Sequence, residues 1–132
     1  MAEIHHKPNS WKAGNLPAAN TQATATQAAA AGTGYCNVVT WLTVMVTAGA
    51  SAPSAKSMSV AIVNGASGST DYIWGPQALS IPAVAGAVNG IALANLSIVG
   101  KPNTATTIEF SVAGGANTVQ SVDMGGLVTS DL

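Results

Sequence analysis

The stretch Gly34 to Thr47, GYCNVVTWLTVMVT, places the strongest constraint on what this chain can become. It is the one run long and apolar enough to serve as a central strand, and the rest of the chain has to cover it. Successive side chains of a strand point to opposite faces. The even positions Cys36, Val38, Leu42, Val44 and Val46 therefore share one face, broken only by Thr40. The odd positions bring Tyr35, Val39, Trp41 and Met45, with Asn37 and Thr43 between them. Both faces are substantially apolar, whereas an antiparallel strand with one wet side alternates cleanly between apolar and polar. One face meets a domain core. The other requires a second cover, from the chain's own N-terminal segment, a neighbouring subunit or a larger host surface.

The rest of the composition supports an assembled state. A chain of 132 residues suits one domain, and a domain of that size buries roughly two thirds of its unfolded surface. Hydrophobic residues make up 48% and charged residues 7%, against about 25% charged in a typical soluble protein. The surface must then be built from Ala, Gly, Ser, Thr and Asn. A net charge of -1 gives little repulsion between copies, and proteins near neutrality tend to associate. There is no arginine, and Lys7, Lys12, Lys56 and Lys101 are scattered, so the cationic stripe that neutralises phosphates is missing and no nucleic-acid partner is expected. No apolar run reaches the ~18 residues of a membrane span. The start, MAEIHHKPNSW, lacks the basic-then-apolar order of a secretory signal, which predicts synthesis in a cytoplasm.

Taken in order, residues 1–33 read as an extended or partly ordered N-terminal arm, and residues 34–132 as the folded domain. The arm holds Pro8, Gly14 and Pro17, then the simple tract TQATATQAAAAGTG. Its one large apolar side chain, Trp11, is suited to anchor the arm in a pocket of its own domain or of a partner. After the central strand, Met58, Val60 and Ile62 alternate with Ser57, Ser59 and Ala61, the signature of a strand with one buried face. Asn64-Gly65 opens the turn NGASGST, and a β-hairpin over Lys56 to Gly75 follows. Pro76 and Pro82 remove ladder donors around Ala78, Leu79 and Ile81, which makes that piece an edge strand or loop, and AVAGAVNG reads as a loop. The alternation slips between Ile91/Leu93 and Leu96/Ile98, which calls for a bulge or a bend. Ile108, Phe110 and Val112 are predicted to face inward, and Val119, Val122, Met124 and Leu127 mark a weaker last strand with a kink at Gly125-Gly126. About seven to eight short strands with turn signals between them define an all-β chain, an antiparallel β-sandwich or jelly roll with an N-terminal arm.

The residues that carry chemistry do not form a constellation. His5 and His6 are adjacent and point in opposite directions on an extended chain, so they make no one-sided metal pair. Glu3, Asp71, Glu109, Asp123 and Asp131 are isolated, and there is no calcium-loop spacing. Neither a G-x-S-x-G elbow nor a phosphate-binding glycine loop is present. Cys36, the lone cysteine, reads as a small buried hydrophobe. Asn95-Leu96-Ser97 matches a glycosylation sequon by chance. No enzyme activity, cofactor or metal is expected. The aromatic residues remain. Trp11, Tyr35 and Trp41, with Met45, are the candidate interface residues, and Tyr72 with Trp74 is the alternative, a pair for stacking on sugar rings.

Three runs together carry a resemblance: GTGYCNVVTWLTV after the Ala/Thr-rich arm, then MSVAIVNGASGSTDYIWGPQALSIPAVAG, then NGIALANLSIVGKPNTATTIEFSVAGGANTVQSVDMGGL. Over about residues 23–128 the chain resembles small structural proteins of tailed-bacteriophage virions, in particular through Ile98 to Phe110 and Ala116 to Val122. The NGASGST turn departs from the charged turn of that pattern. The resemblance implies a β-sandwich decoration or cement protein on the outer capsid surface. Its expected partners are the major capsid protein and further copies of itself, a homotrimer being favoured, without nucleic acid or membrane. A head-fibre or tail module that binds a carbohydrate or receptor is the neighbouring expectation.

Overall fold

The computed structural model describes residues 10–130. Nine strands form two antiparallel sheets and there is no helix among the described residues. The strands are β1 (Ser10–Asn15), β2 (Thr24–Gln27), β3 (Tyr35–Ala48), β4 (Ser59–Asn64), β5 (Tyr72–Ala78), β6 (Val88–Leu93), β7 (Ile98–Val99), β8 (Thr106–Phe110) and β9 (Thr118–Ser130). The larger sheet runs β1-β9-β3-β6, with β7 also on β3, and the smaller runs β2-β8-β4-β5. Since β6 and β7 both pair with β3, they act as one strand interrupted by a bend. The chain is then a long antiparallel ribbon, β1 on β9, β2 on β8, β3 on β6/β7 and β4 on β5. Wrapping such a ribbon into two facing four-strand layers makes a jelly roll. Residues 10–27, within the predicted arm, supply an edge strand to each sheet.

Val39, Leu42, Val44 and Val46 of β3 and Val122 and Met124 of β9 pack across the interior on Val60 and Ile62 of β4 and Ile108 and Phe110 of β8. Burying each large apolar side chain here contributes about 1.5–3 kcal/mol. The hairpin from β4 to β5 and the inward pair Ile108/Phe110 match the alternation in the sequence. β5 continues through Pro76 to Ala78 as an edge strand, where a missing donor costs no ladder bond. The slip before Ile98 is the bend between β6 and β7, with Asn95 in the left-handed region (φ 58).

Four expectations need correction. The face assignment of β3 reverses partway along: Val39 pairs with Gly126 and Trp41 with Gly125, which leaves Thr40 as an extra residue. A bulge of this kind shifts side-chain parity by one. Val39 thus joins the core before the bulge and Leu42 after it, while Cys36 and Val38 are buried outside the core cluster. The Thr40 carbonyl, displaced from the ladder, accepts the Leu96 N–H at 2.9 Å. Val112 lies beyond the end of β8 and is exposed. The predicted loop AVAGAVNG already enters β6 at Val88. The last strand is not weak: β9 spans 13 residues and pairs with β3 along almost its whole length.

At one end of the sandwich, polar groups replace the apolar core. Asn37 donates to the Ala28 carbonyl at 3.0 Å and to Thr106 Oγ1 at 3.3 Å. Its Oδ1 is the buried side-chain oxygen left without a partner among the described residues. Asn64 donates to Asp71 and accepts the Lys101 N–H; at the opposite end, Gln120, paired with Val46, bridges the Ala23 N–H and the Val112 carbonyl. These bonds tie loops to strands where no hydrophobic contact is available.

Candidate functional site

The outward side of the larger sheet follows from the register. One row across the strands reads Leu127, Val38, Val99; a second reads Gly14, Asp123, Thr43, Ala92; a third Ser121, Met45, Gly90; a fourth Val119, Thr47, Val88. Trp41 stands between the first two rows, beside Gly125 and, one strand further, Lys12. Met45 is 39% exposed, Leu127 44%, Val99 52% and Val88 61%, and Trp41 is half-buried. Lys12 and Asp123 are the two charged residues in these rows. Apolar side chains on a single wet sheet face normally occur singly, so two apolar groups on one face, divided by the Asp123/Thr43 row, make it a candidate association surface.

Glycines flatten this face. A Cβ on Gly125 would strike the Trp41 indole, so the ring lies across the Gly125 backbone. A Cβ on Gly14 would meet the Asp123 carboxylate, whereas one on Gly90 would strike the Val44 carbonyl. The Trp41 and Asp123 side chains thus lie over gaps in the neighbouring strand. Gly126 answers a different need on the inward side, where a Cβ would collide with the Val38 carbonyl beside the Thr40 bulge. The Gly125-Gly126 pair, expected as a kink, therefore accommodates a bulge on one side of β9 and an indole on the other.

The structure brings Trp41 and Met45 together on this outward face and places the other two interface candidates elsewhere. Trp11 packs against the core from β1, and its Nε1–H donates to the Leu127 carbonyl at 3.0 Å. Tyr35 opens β3 on the Asn37 side of the strand, partly exposed beside Gly32. Tyr72 and Trp74 are also separated. Tyr72 pairs with Val63 on the outward side of the smaller sheet, whereas Trp74 pairs with Ile62 and packs toward the core, with Ile73 as the extra residue between them. Sequence reasoning missed Val88 and Val99, because the glycine and proline content around them hides two short strands.

Among the described residues no three His, Cys, Asp or Glu side chains converge on a metal-sized site. His5 and His6 lie outside the described residues. Asp71 forms an exposed ion pair with Lys101 at 2.7 Å. That hydrogen bond, followed by the one from Asn64, holds its carboxyl below the ordinary aspartate value of 3.8. Glu109 accepts from Thr24 Oγ1 at 3.2 Å, from the Gly68 N–H at 2.9 Å and from Ser67. Cys36 is a free, buried thiol.

No family model and no curated protein matches the chain. Among solved structures, one from desmodium yellow mottle tymovirus is similar at a TM-score of 0.39 and 11% identity, over 100% of this chain and 94% of that one. A likeness of this degree carries no functional argument.

Proposed function

We propose that this protein is a structural component of a virion, a decoration or cement protein seated on the outer capsid surface. The observation that carries the reading is the set of exposed apolar side chains around Trp41 on the outward face of the larger sheet, on a chain with very few charges. In this reading the face is buried against further copies of the chain, a trimer being favoured, and against the major capsid protein. Mature interfaces of this apolar kind bury on the order of 2,000 Å² or more, and their central aromatic residues carry most of the binding energy. The virion resemblance of residues 23–128 and the wrapped-ribbon topology, which jelly rolls of viral capsids share with lectins, support the same role. Fold alone does not assign it.

The role requires no catalytic group. The protein would be made in the host cytoplasm and end on the capsid exterior. Cosedimentation with purified, expanded capsids tests the reading: the wild-type chain should pellet with the shells and raise their disassembly temperature, and Trp41→Glu should remain in the supernatant. A wild-type chain that stays monomeric at high concentration and leaves the shells unbound would overturn it.

A further inference from the structure

The opposite outward face, on the smaller sheet, carries a groove of different chemistry. Its floor is Ala61 and Val63, outward residues of β4 that are nevertheless 5% and 1% exposed. The 65–71 turn folds back over this strand far enough for Ser67 and Gly68 to reach Glu109 on β8. Tyr72, 49% exposed, and Pro76 form one wall, and Glu109 and Ser111 the other. The groove itself is shallow, about 50 Å³; a wider hollow of about 360 Å³ adjoins it past Glu109, along the turn toward Gln22, and shares Ser69, Tyr72, Glu109 and Ser111 with it.

We propose that this groove binds a hexopyranose residue of a glycan. Two rings, the Tyr72 phenol and the Pro76 pyrrolidine, offer the apolar wall against which the C–H face of a pyranose packs. The facing wall is polar and already oriented. Glu109 Oε1 is occupied by Thr24 and Ser67, while Oε2 takes only the Gly68 N–H. A carboxylate oxygen has two acceptor positions, so Oε2 keeps one for a ligand hydroxyl. Ser111 Oγ accepts the Ser59 N–H at 3.1 Å and retains its own proton to donate. An acceptor and a donor two residues apart on one wall suit a sugar hydroxyl, which both gives and takes a hydrogen bond.

Other ligand classes fit less well. A phosphate or carboxylate would meet the Glu109 charge, and the nearest ordered cation, Lys101, is committed to Asp71. A metal ion would find one carboxylate already holding three donors. A wholly apolar ligand would bury Oε2 with one acceptor position of the charged group unfilled, which is costly.

The test is a titration of the ¹⁵N-labelled full chain with free glucose, galactose, mannose and N-acetylglucosamine, followed through amide shifts. At least one sugar should move the Gly68, Ser69, Tyr72 and Ser111 amides in a saturable way at millimolar concentration. Tyr72→Ala should weaken that binding about tenfold in a chain that stays folded, with a small drop in melting temperature from the cover lost over Ala61 and Val63. Ser111→Ala should weaken it about fivefold. Because Glu109 also anchors the turn, Ser111→Ala is the polar variant that decides. Trp41→Glu should bind sugar like wild type, which separates this site from the association face. Absence of saturable shifts with all four sugars, or equal affinity in Tyr72→Ala and Ser111→Ala, would overturn the proposal.

Discussion

Two of the central strands of this sandwich, β3 and β4, are apolar on both sides, yet their outward faces end up differently. Across β4, Ala61 and Val63 are covered by the chain itself, through the 65–71 turn that Glu109 pins and the Tyr72 side chain. Across β3, Trp41 lies over Gly125 and, with Met45, stays in reach of solvent, joined by Val88, Val99 and Leu127 from three other strands. Apolar content on the outer side of a strand therefore has two physical outcomes. A long turn with a carboxylate to hold it closes one face internally. A face bordered by glycines and short strands has no such cover, and its burial falls to another molecule.

Substitutions can break this comparison at different depths. Phe110→Ala removes the largest fully buried side chain beneath both faces and should cost about 3–5 kcal/mol, read as a lower urea midpoint. Association and sugar binding should then fail together. Trp41→Glu should act on one face alone, weakening self-association by about 2 kcal/mol or more, roughly thirtyfold. Monomer stability should fall by only about 1 kcal/mol. Gly125→Ala sharpens the point, because it adds a single methyl group under the indole. It should destabilise by about 1–2 kcal/mol and reduce association by tilting Trp41 off the sheet, with the amides around Glu109 unmoved in an NMR spectrum.

The smallest effect belongs to Asp71→Asn. The Asp71 carboxyl is held below 3.8 by Lys101 and Asn64, so the folded state releases its proton more readily than the unfolded chain. Its contribution is therefore present above pH 3.8 and lost as pH falls through the lowered folded value. Asp71 is solvent-exposed, so thermal melts of the variant and wild type at neutral pH should be nearly superimposable, and both faces should behave normally.

Much of the fold was legible from side-chain alternation. Met58/Val60/Ile62 with the Asn64-Gly65 turn marks the β4–β5 hairpin, and Ile108/Phe110 marks β8, because their inward residues recur at every second position; the burial of Ala61 and Val63 on the other face of β4 was not expected. β1 was harder to see. Its inward residues are Trp11 and Ala13, and a single aromatic beside a small side chain at a sheet edge gives almost no periodic signal. The Thr40 bulge has no residue-type signature at all. It is visible only once Gly126 is placed opposite Val39, since the glycine lets the β3 backbone approach. The association face was half legible: Trp41 and Met45 stand in one long strand, but Val88, Val99 and Leu127 join them only through cross-strand register. The proposed groove was half legible: Tyr72 was singled out, but a bulge at Ile73 turns Trp74 inward and leaves Tyr72 facing Glu109 from across β4.

Sedimentation equilibrium of wild type and Trp41→Glu over a wide concentration range addresses the central claim most directly. If the Trp41 face is an association surface, the wild type sediments as an oligomer and the variant as a folded monomer with a native circular-dichroism spectrum. A wild type that remains monomeric throughout, or a folded variant that assembles as readily as wild type, would contradict it.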